Sequence, residues 1–332
     1  MPTRRSAHIH ILNEPEVDVY GMRPDTVRAR LAGLTRAKRV ALTVTESRDP
    51  FTITPEMRDA QILVGLRLPT AEIRDLPHLR WIHLVSAGVD HLLPLDWLPA
   101  NVALTNSSGV HADVAGEYVL AALLMLNIGM PRYIADQRSE RWEPVFNSPI
   151  RGKTVVLVGV GAIGGAAARL AKRLGLHVVG IRPSRRSHPA VHEMYGPDAL
   201  LRVLPRADFL VVTAPLTSAS RAMIGRRELD TLKPGAGIVN VSRARLIDYD
   251  VLVTKLESGE LSGAVLDVFH PEPVARGTAL WRVRNLVMTP HASADPPPLE
   301  YGARTLAIVK RNFPRFLAGA PLLNQVRRER GY

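Results

Sequence analysis

Side chains able to bind anions or move protons gather in three short stretches. They are Arg243 in "NVSRARLID", Asp267 and Glu272 in "LDVFHPEP", and His291 in "VMTPHAS". An imidazole titrates near neutral pH and can serve as acid or base, whereas a guanidinium stays charged and offers a planar fork to anions. Taken singly, Arg243 reads as a surface charge, Glu272 as a helix-start acid and His291 as a satisfied polar residue. Their common placement changes that. Each follows an apolar, strand-like run at the point where it gives way to a loop, which is where ligands bind in open α/β sheets.

A nucleotide site precedes them. In "VVLVGVGAIGGAAARLAKRLGLHVVGIRPSRRS", Gly159, Gly161 and Gly164 follow an apolar strand and open a helix over Ile163 to Leu174. That context is what the dinucleotide fingerprint requires. Gly159 permits the tight turn, Gly161 lets backbone approach a pyrophosphate at the helix N-terminus, and Gly164 brings helix close to strand. The next strand, "HVVGI", ends at Arg182 instead of the acid that accepts hydrogen bonds from the adenosine ribose in NAD sites. Ser184, Arg185 and Arg186 follow. A carboxylate would repel a 2′-phosphate and guanidinium groups can grip it, so these residues point to NADP(H) as preferred cofactor, with NAD(H) use left open.

The elements that must position these groups alternate along the chain. "HIHIL", "RVALTV", "QILVGL" and "RWIHLV" predict strands, with "PDTVRARLAGL" as a helix between the first two. "DVAGEYVLAALLMLNIGM" predicts one long helix, apolar on nearly every face and therefore buried in a core or an interface, with Pro131 ending it. A second alternation runs through "TVVLVGV", "HVVGI", "FLVVTA", "AGIVNVS", "GAVLDVF" and "LVMTP", with helices such as "ALLRVLPRA" and "DVLVTKLES" between. The tail "LEYGARTLAIVKRNFPRFLAG" is helical and returns to the first domain. The fold expected is α/β, with two doubly wound domains, Rossmann-like or flavodoxin-like, on either side of a cleft. Residues 1–105 plus 295–332 form the substrate domain and 106–294 the dinucleotide-binding domain.

Bulk composition narrows the class further. With 332 residues, 46% hydrophobic and 22% charged, the chain suits two folded domains of roughly 100 to 200 residues each. It has no cysteine, which excludes disulfides and thiolate chemistry and fits a cytoplasmic protein. "MPTRRSAHIHILNEPEVDVY" lacks the pattern of a signal peptide, and the apolar run Tyr118–Met130 is shorter than the ~20 residues a bilayer needs, so no membrane is expected. The net charge of +12 invites a nucleic-acid partner, but residues 151–294 carry 20 Lys+Arg against 11 Asp+Glu, and the remainder 23 against 20. The excess therefore follows the nucleotide segment, and with aromatics at 5% no nucleic-acid partner is expected. His8 and His10 share a strand face without a third ligand, so no metal is expected. Trp142 and Trp281 are read as packing residues.

Taken in order, "GVGAIGG", "ADFLVVTAPLT", "LKPGAGIVNVSRARLID", "GAVLDVFHPEP" and "NLVMTPHAS" resemble the D-isomer-specific 2-hydroxyacid dehydrogenases. That family includes glyoxylate/hydroxypyruvate reductases and phosphoglycerate dehydrogenases. Upstream, "LVSAGVDHL" and "TNSSGVHADVAGEYVLAALLML" resemble its substrate loop and dimer-interface helix. The resemblance implies hydride transfer between a nicotinamide cofactor and a small 2-oxo or D-2-hydroxy acid, in a homodimer. By it, His291 is the general acid/base, Glu272 holds and charges the ring, and Arg243 binds the substrate carboxylate and polarises its carbonyl. Asp267 receives the nicotinamide carboxamide, and the N–H groups of Ala87 and Gly88, beside Ser86, take the substrate carboxylate. Ala162 and Ile163, with Ala214 and Pro215, join the three glycines in holding the cofactor.

Glu272 also separates the chain from the related formate dehydrogenases, which carry an amide there and release no proton to a base. Ala244, where a glycine commonly follows the arginine, and the "PEPVARGT" loop depart from the family pattern and leave substrate fit open. His83 and His111 lie in the cleft-side stretches, and each is read as more often structural than in contact with substrate. The alternatives are an enzyme oxidising another acid, phosphite included, on the same scaffold, or a nucleotide-sensing interaction protein like the carboxy-terminal binding protein co-repressors.

Overall fold

The computed structural model describes residues 6–14 and 22–332. The segment weighed as a leader, residues 1–20, lies partly outside the described residues. The chain divides into two compact units, one of residues 1–110 with 296–332 and one of 111–295. Each is a parallel sheet covered by helices.

The first unit contains strands β1 (Ser6–Leu12), β2 (Ala41–Ser47), β3 (Ile62–Gly65), β4 (Trp81–Leu84) and β5 (Ala103–Thr105), in the order β2-β1-β3-β4-β5. All pair in parallel. This is the flavodoxin-like doubly wound order. Helix Pro298–Leu317 belongs to this unit, packing Tyr301, Leu306, Val309 and Phe313 against Ile9, Ile11 and Trp81. Helix Pro24–Lys38 supplies Val27 and Leu31 to the same core.

The second unit contains β6 (Thr154–Val158), β7 (His177–Ile181), β8 (Glu193–Tyr195), β9 (Phe209–Val212), β10 (Gly237–Asn240), β11 (Gly263–Leu266) and β12 (Leu286–Met288). Their order is β12-β11-β10-β9-β6-β7-β8, the Rossmann arrangement with one added strand. Continuous apolar runs such as "TVVLV" arise because both faces of this sheet are buried. Val156 and Val158 enter one core, while Val155 and Leu157 enter the other beneath helices Ala112–Ile128 and Ala162–Arg173. Since every strand is parallel, all carboxyl ends emerge on one edge of the sheet.

The long apolar helix expected over residues 113–130 runs from Ala112 to Ile128, and a second helix that the sequence reading did not foresee follows it at once. Gly129 takes φ +73, the left-handed conformation favoured by glycine, and its N–H closes the first helix onto Leu126. Pro131 lies in the first turn of the next, Met130–Arg138, where its missing N–H costs nothing. The chain direction changes by 66°. Among the described residues no single helix is long and apolar enough to cross a membrane.

Candidate active site

The glycine loop joins β6 to helix Ala162–Arg173. Gly159 has φ +98, and a Cβ there would stand 2.4 Å from the Ala214 nitrogen, so the turn and the neighbouring exit of β9 both require glycine. A Cβ on Gly164 would meet the Gly159 carbonyl oxygen at 2.0 Å. Gly161 differs: nothing lies within 4 Å of the position a Cβ would take. Its bare backbone faces open space at the start of the helix, whose first turn carries no acid. The first helical bond runs from the Gly165 N–H to Gly161, so the N–H groups of Ala162, Ile163 and Gly164 stand ahead of the hydrogen-bond ladder. Open space, unbonded donors and the positive end of a helix suit a pyrophosphate. Ala214 and Pro215 line the adjacent turn, their carbonyls accepting from the hydroxyls of Ser242 and Ser220.

At the exit of β7, Arg182 lies across the glycine loop. Its Nη1 donates to the Val160 carbonyl at 3.0 Å and its Nε to Ser184 Oγ at 2.8 Å. Arg185 is at φ +49, and its Nη2 meets Asp198 Oδ1 at 2.7 Å. The Arg186 side chain is exposed and makes no hydrogen bond or ion pair among the described residues. Asp198, just beyond β8, was not singled out by the sequence pattern.

The three chemical stretches leave β10, β11 and β12, which are neighbours in the sheet. His291 Nδ1 and Glu272 Oε2 are 2.9 Å apart. Since an ionised carboxylate only accepts, Nδ1 carries the hydrogen and Nε2 is left to exchange a proton with a ligand. The other Glu272 oxygen accepts from the Phe269 N–H at 2.6 Å, so the carboxylate is fixed from both sides. Arg243 Nη1 donates to the Ser242 carbonyl at 2.8 Å. Buried Asn240 secures that loop, its Oδ1 accepting from the Ser242 N–H and its Nδ2 donating to the Arg243 carbonyl and to Tyr249 Oη, each at 3.1 Å. Tyr249 donates in turn to the Val268 carbonyl at 2.8 Å, tying the arginine loop to the segment that carries Glu272. Burial pushes the Tyr249 phenol well above its ordinary range, which keeps it a neutral donor.

His291 is at φ +53, a left-handed conformation that costs a non-glycine residue on the order of 1 kcal/mol or more and persists only when surroundings impose it. Asp267 imposes it. This carboxylate is 1% exposed. Its Oδ1 accepts from Thr289 Oγ1 at 2.6 Å and from the Ala292 N–H at 2.9 Å, and its Oδ2 from Ser293 Oγ at 2.5 Å. The Ser293 N–H reaches both oxygens at 3.1 Å, and the Asp267 carbonyl accepts from the His291 N–H at 2.9 Å. Tyr118 Oη adds a bond to Thr289 Oγ1 at 2.7 Å. These bonds tie both Asp267 oxygens to the turn that presents His291.

Among the other residues weighed, the packing role given to Trp142 and Trp281 is corrected. His83 is fully buried, with Nδ1 bonded to Thr105 and Nε2 to Ser107, so it faces no ligand. Trp142 is not a packing residue, being 98% exposed; Trp281 is 57% exposed. His111 Nδ1 bonds the Ala294 carbonyl. In the first unit, Ser86 Oγ donates to the Gly88 carbonyl and the Ala87 carbonyl accepts from Asn106, while the N–H groups of Ala87 and Gly88 donate to nothing among the described residues. The described residues hold no group of three or more potential metal ligands.

Comparison with known proteins agrees with this geometry. Residues 120–293 match the family signature described as D-isomer specific 2-hydroxyacid dehydrogenase, NAD binding domain. A glyoxylate reductase from Thermococcus litoralis is 30% identical over 250 residues, covering 71% of this chain and 75% of that protein. The crystal structure of a D-isomer specific 2-hydroxyacid dehydrogenase from Xanthobacter autotrophicus, in complex with NADPH and MES, superposes with a TM-score of 0.85. It is 27% identical and covers 98% of this chain and 100% of that one. An NADPH-dependent glyoxylate/hydroxypyruvate reductase from Sinorhizobium meliloti, in complex with NADP and sulfate, gives a TM-score of 0.78 at 26% identity, covering 98% and 100%.

Proposed function

Because the chain belongs to the D-isomer-specific 2-hydroxyacid dehydrogenase family and is an NAD(P)-dependent oxidoreductase, we propose that it is a cytoplasmic, NADPH-preferring reductase of a small 2-oxo acid of the glyoxylate or hydroxypyruvate kind. The observation that carries this is the His291–Glu272 pair at 2.9 Å, one strand exit away from Arg243 on a dinucleotide-binding sheet. Relatives named glyoxylate reductase, and neighbours crystallised with NADPH or NADP, support the substrate class and the cofactor.

When bound, the nicotinamide supplies hydride to the carbonyl carbon in reduction and takes it back in oxidation. Arg243 grips the substrate carboxylate and draws charge toward the carbonyl oxygen. His291 gives its Nε2 proton to that oxygen as the alkoxide forms, and Glu272 stabilises the imidazolium that precedes the transfer. In the first unit, the N–H groups of Ala87 and Gly88, which donate to nothing among the described residues, would suit a carboxylate. Arg182, Ser184, Arg185 and Arg186 hold the 2′-phosphate, and the N–H groups of Ala162 and Ile163 the pyrophosphate.

A homodimer is proposed on exposed apolar side chains. Leu124 and Ile128 are 39% and 41% exposed on one helix, and Trp142 and Phe146 are 98% and 94% exposed soon after it. Large apolar side chains exposed as a group, rather than singly, mark interaction surfaces.

The test is NADPH consumption with a panel of 2-oxo acids. His291→Asn should lower kcat by about 10²- to 10⁴-fold with NADPH binding retained, the range for a lost general acid. Arg243→Ala should raise KM and lower kcat together. Turnover near that of the wild type in either variant would refute the assigned roles.

A further inference from the structure

The carboxylate missing from the end of β7 is present on the neighbouring strand exit. We propose that Asp198 sets cofactor choice by holding Arg185 when no 2′-phosphate is bound and opposing that phosphate when it is. The proposal rests on reading Arg182 to Arg186 as the 2′-phosphate site.

Three observations place Asp198 there. Strand β8 lies in parallel beside β7, and the Arg182 N–H bonds the Tyr195 carbonyl at 2.9 Å, so the two exits are stitched together. The Arg185–Asp198 pair also rests against bare backbone. A Cβ on Gly196 would lie 2.4 Å from Asp198 Oδ1 and 2.5 Å from Arg185 Nε, so a larger residue would push the partners apart. Finally, Arg185 adopts φ +49, a conformation side-chain-bearing residues rarely take, at the turn from which its side chain reaches Asp198.

The consequence follows from charge. Arg185 and Asp198 are both largely exposed, at 63% and 68%, and an exposed pair is weak enough for a dianionic phosphate to take over the guanidinium. The phosphate then sits close to the Asp198 carboxylate, whose negative charge lowers the affinity gained. A ribose hydroxyl meets no such opposition and can donate to a carboxylate. Asp198 therefore narrows the gap between NADPH and NADH, keeping both usable.

The experiment is titration of the full-length protein with NADPH and with NADH, following nicotinamide fluorescence at low and high salt. It uses the wild type, Asp198→Asn, Gly196→Ala, Arg185→Ala and the Asp198→Asn/Arg185→Ala double variant. Asp198→Asn should raise the NADPH-to-NADH affinity ratio by about fivefold, through tighter NADPH, as expected for one charge removed at close range in water. High salt should shrink the change. Gly196→Ala should act in the same direction, and Asp198→Asn should have a smaller effect once Arg185 is gone, because only its direct opposition to the phosphate then remains. If the wild type prefers NADPH and Asp198→Asn leaves the ratio unchanged, the Asp198 proposal is overturned while the 2′-phosphate site stands. If the wild type shows no preference and Arg185→Ala leaves NADPH binding unchanged, the 2′-phosphate site itself falls, and the proposal with it.

Discussion

The strand exits of one sheet are built in two different ways. At β10, β11 and β12 the side chains proposed to do chemistry are held by buried groups: Asp267 at 1% exposure, Asn240 fully buried, and Tyr249 bridging two loops. At β7 the arginines are held by a backbone carbonyl, a surface hydroxyl and an exposed acid, and Arg186 by nothing among the described residues. The difference follows the task. Proton transfer fails when groups shift by an ångström, so the imidazole needs a rigid mount. A phosphate carrying two charges recruits guanidinium groups over a wider range of geometry, and mobile ones suffice.

The sharpest way to break this contrast is at its stiffest point. Asp267→Asn keeps the shape but replaces an acceptor by a group that is half donor, which faces the Ser293 N–H and hydroxyl. Buried hydrogen bonds to a charged group contribute about 1.5–3 kcal/mol each, so the His291 turn should loosen, with kcat down by about 10²-fold and a measurable loss of stability. Affinity for NADPH, set largely at the other strand exit, should change far less. Equal losses in kcat and NADPH affinity would mean that Asp267 meets the cofactor directly, as the resemblance implied.

Buried networks leave a pH signature that surface pairs lack, and the first unit has two. Burial pushes His83 down to about 3, and burial together with the nearby His8 charge, partly offset by Glu56, pushes His10 down to about 4. Both folded values lie below the ordinary 6.5, so the unfolded chain takes up protons first as pH falls. Their contribution is therefore complete above pH 6.5 and is lost progressively toward pH 4 for His10 and pH 3 for His83. At about 1.4 kcal/mol per unit, each removes on the order of 3 kcal/mol by pH 4. Hydrogen exchange at pH 6.5 and pH 5 should show protection falling in β1 and β4. Unchanged protection there would mean that these histidines are already charged in the folded protein.

What could be read from the sequence divides along the same line. Strands buried on both faces write continuous apolar runs, so β6, β7 and β9 to β11 stand out, and a glycine loop between strand and helix is legible because Gly159 and Gly164 admit no side chain. The placement of Arg243, Glu272 and His291 at neighbouring strand exits was legible as residue types after apolar runs. Strand β8 was not: "EMY" is three residues long, half-buried and opened by a charged side chain. Nor was the work of Asn240, Tyr249 and Asp198, since a lone polar residue announces its partners only when distant segments meet. Tyr118 to Thr289 spans 171 positions. The helix end near Gly129 was legible from Pro131, but the helix Met130–Arg138 beyond it was not, although a glycine followed by Met-Pro carries the signal for one helix ending and another beginning. Trp142, read as a packing residue, stands in the open within the chain.

The smallest expected effect tests the soft side of the contrast. Arg182 is anchored through Nε and Nη1, with Nη2 left over, so little side-chain freedom remains to be lost when a phosphate arrives. Arg186 has no such anchor and must be ordered on binding, which for a long side chain costs about 1–2 kcal/mol and offsets most of what its charge contributes. Arg182→Ala should therefore weaken NADPH about tenfold, and Arg186→Ala only about twofold, with kcat unchanged in both. NADH binding should fall slightly in Arg182→Ala alone, because that side chain also braces Val160 in the glycine loop. A larger loss from Arg186→Ala would invert the ranking and place the phosphate farther along the loop, where anchoring by Val160 confers no advantage.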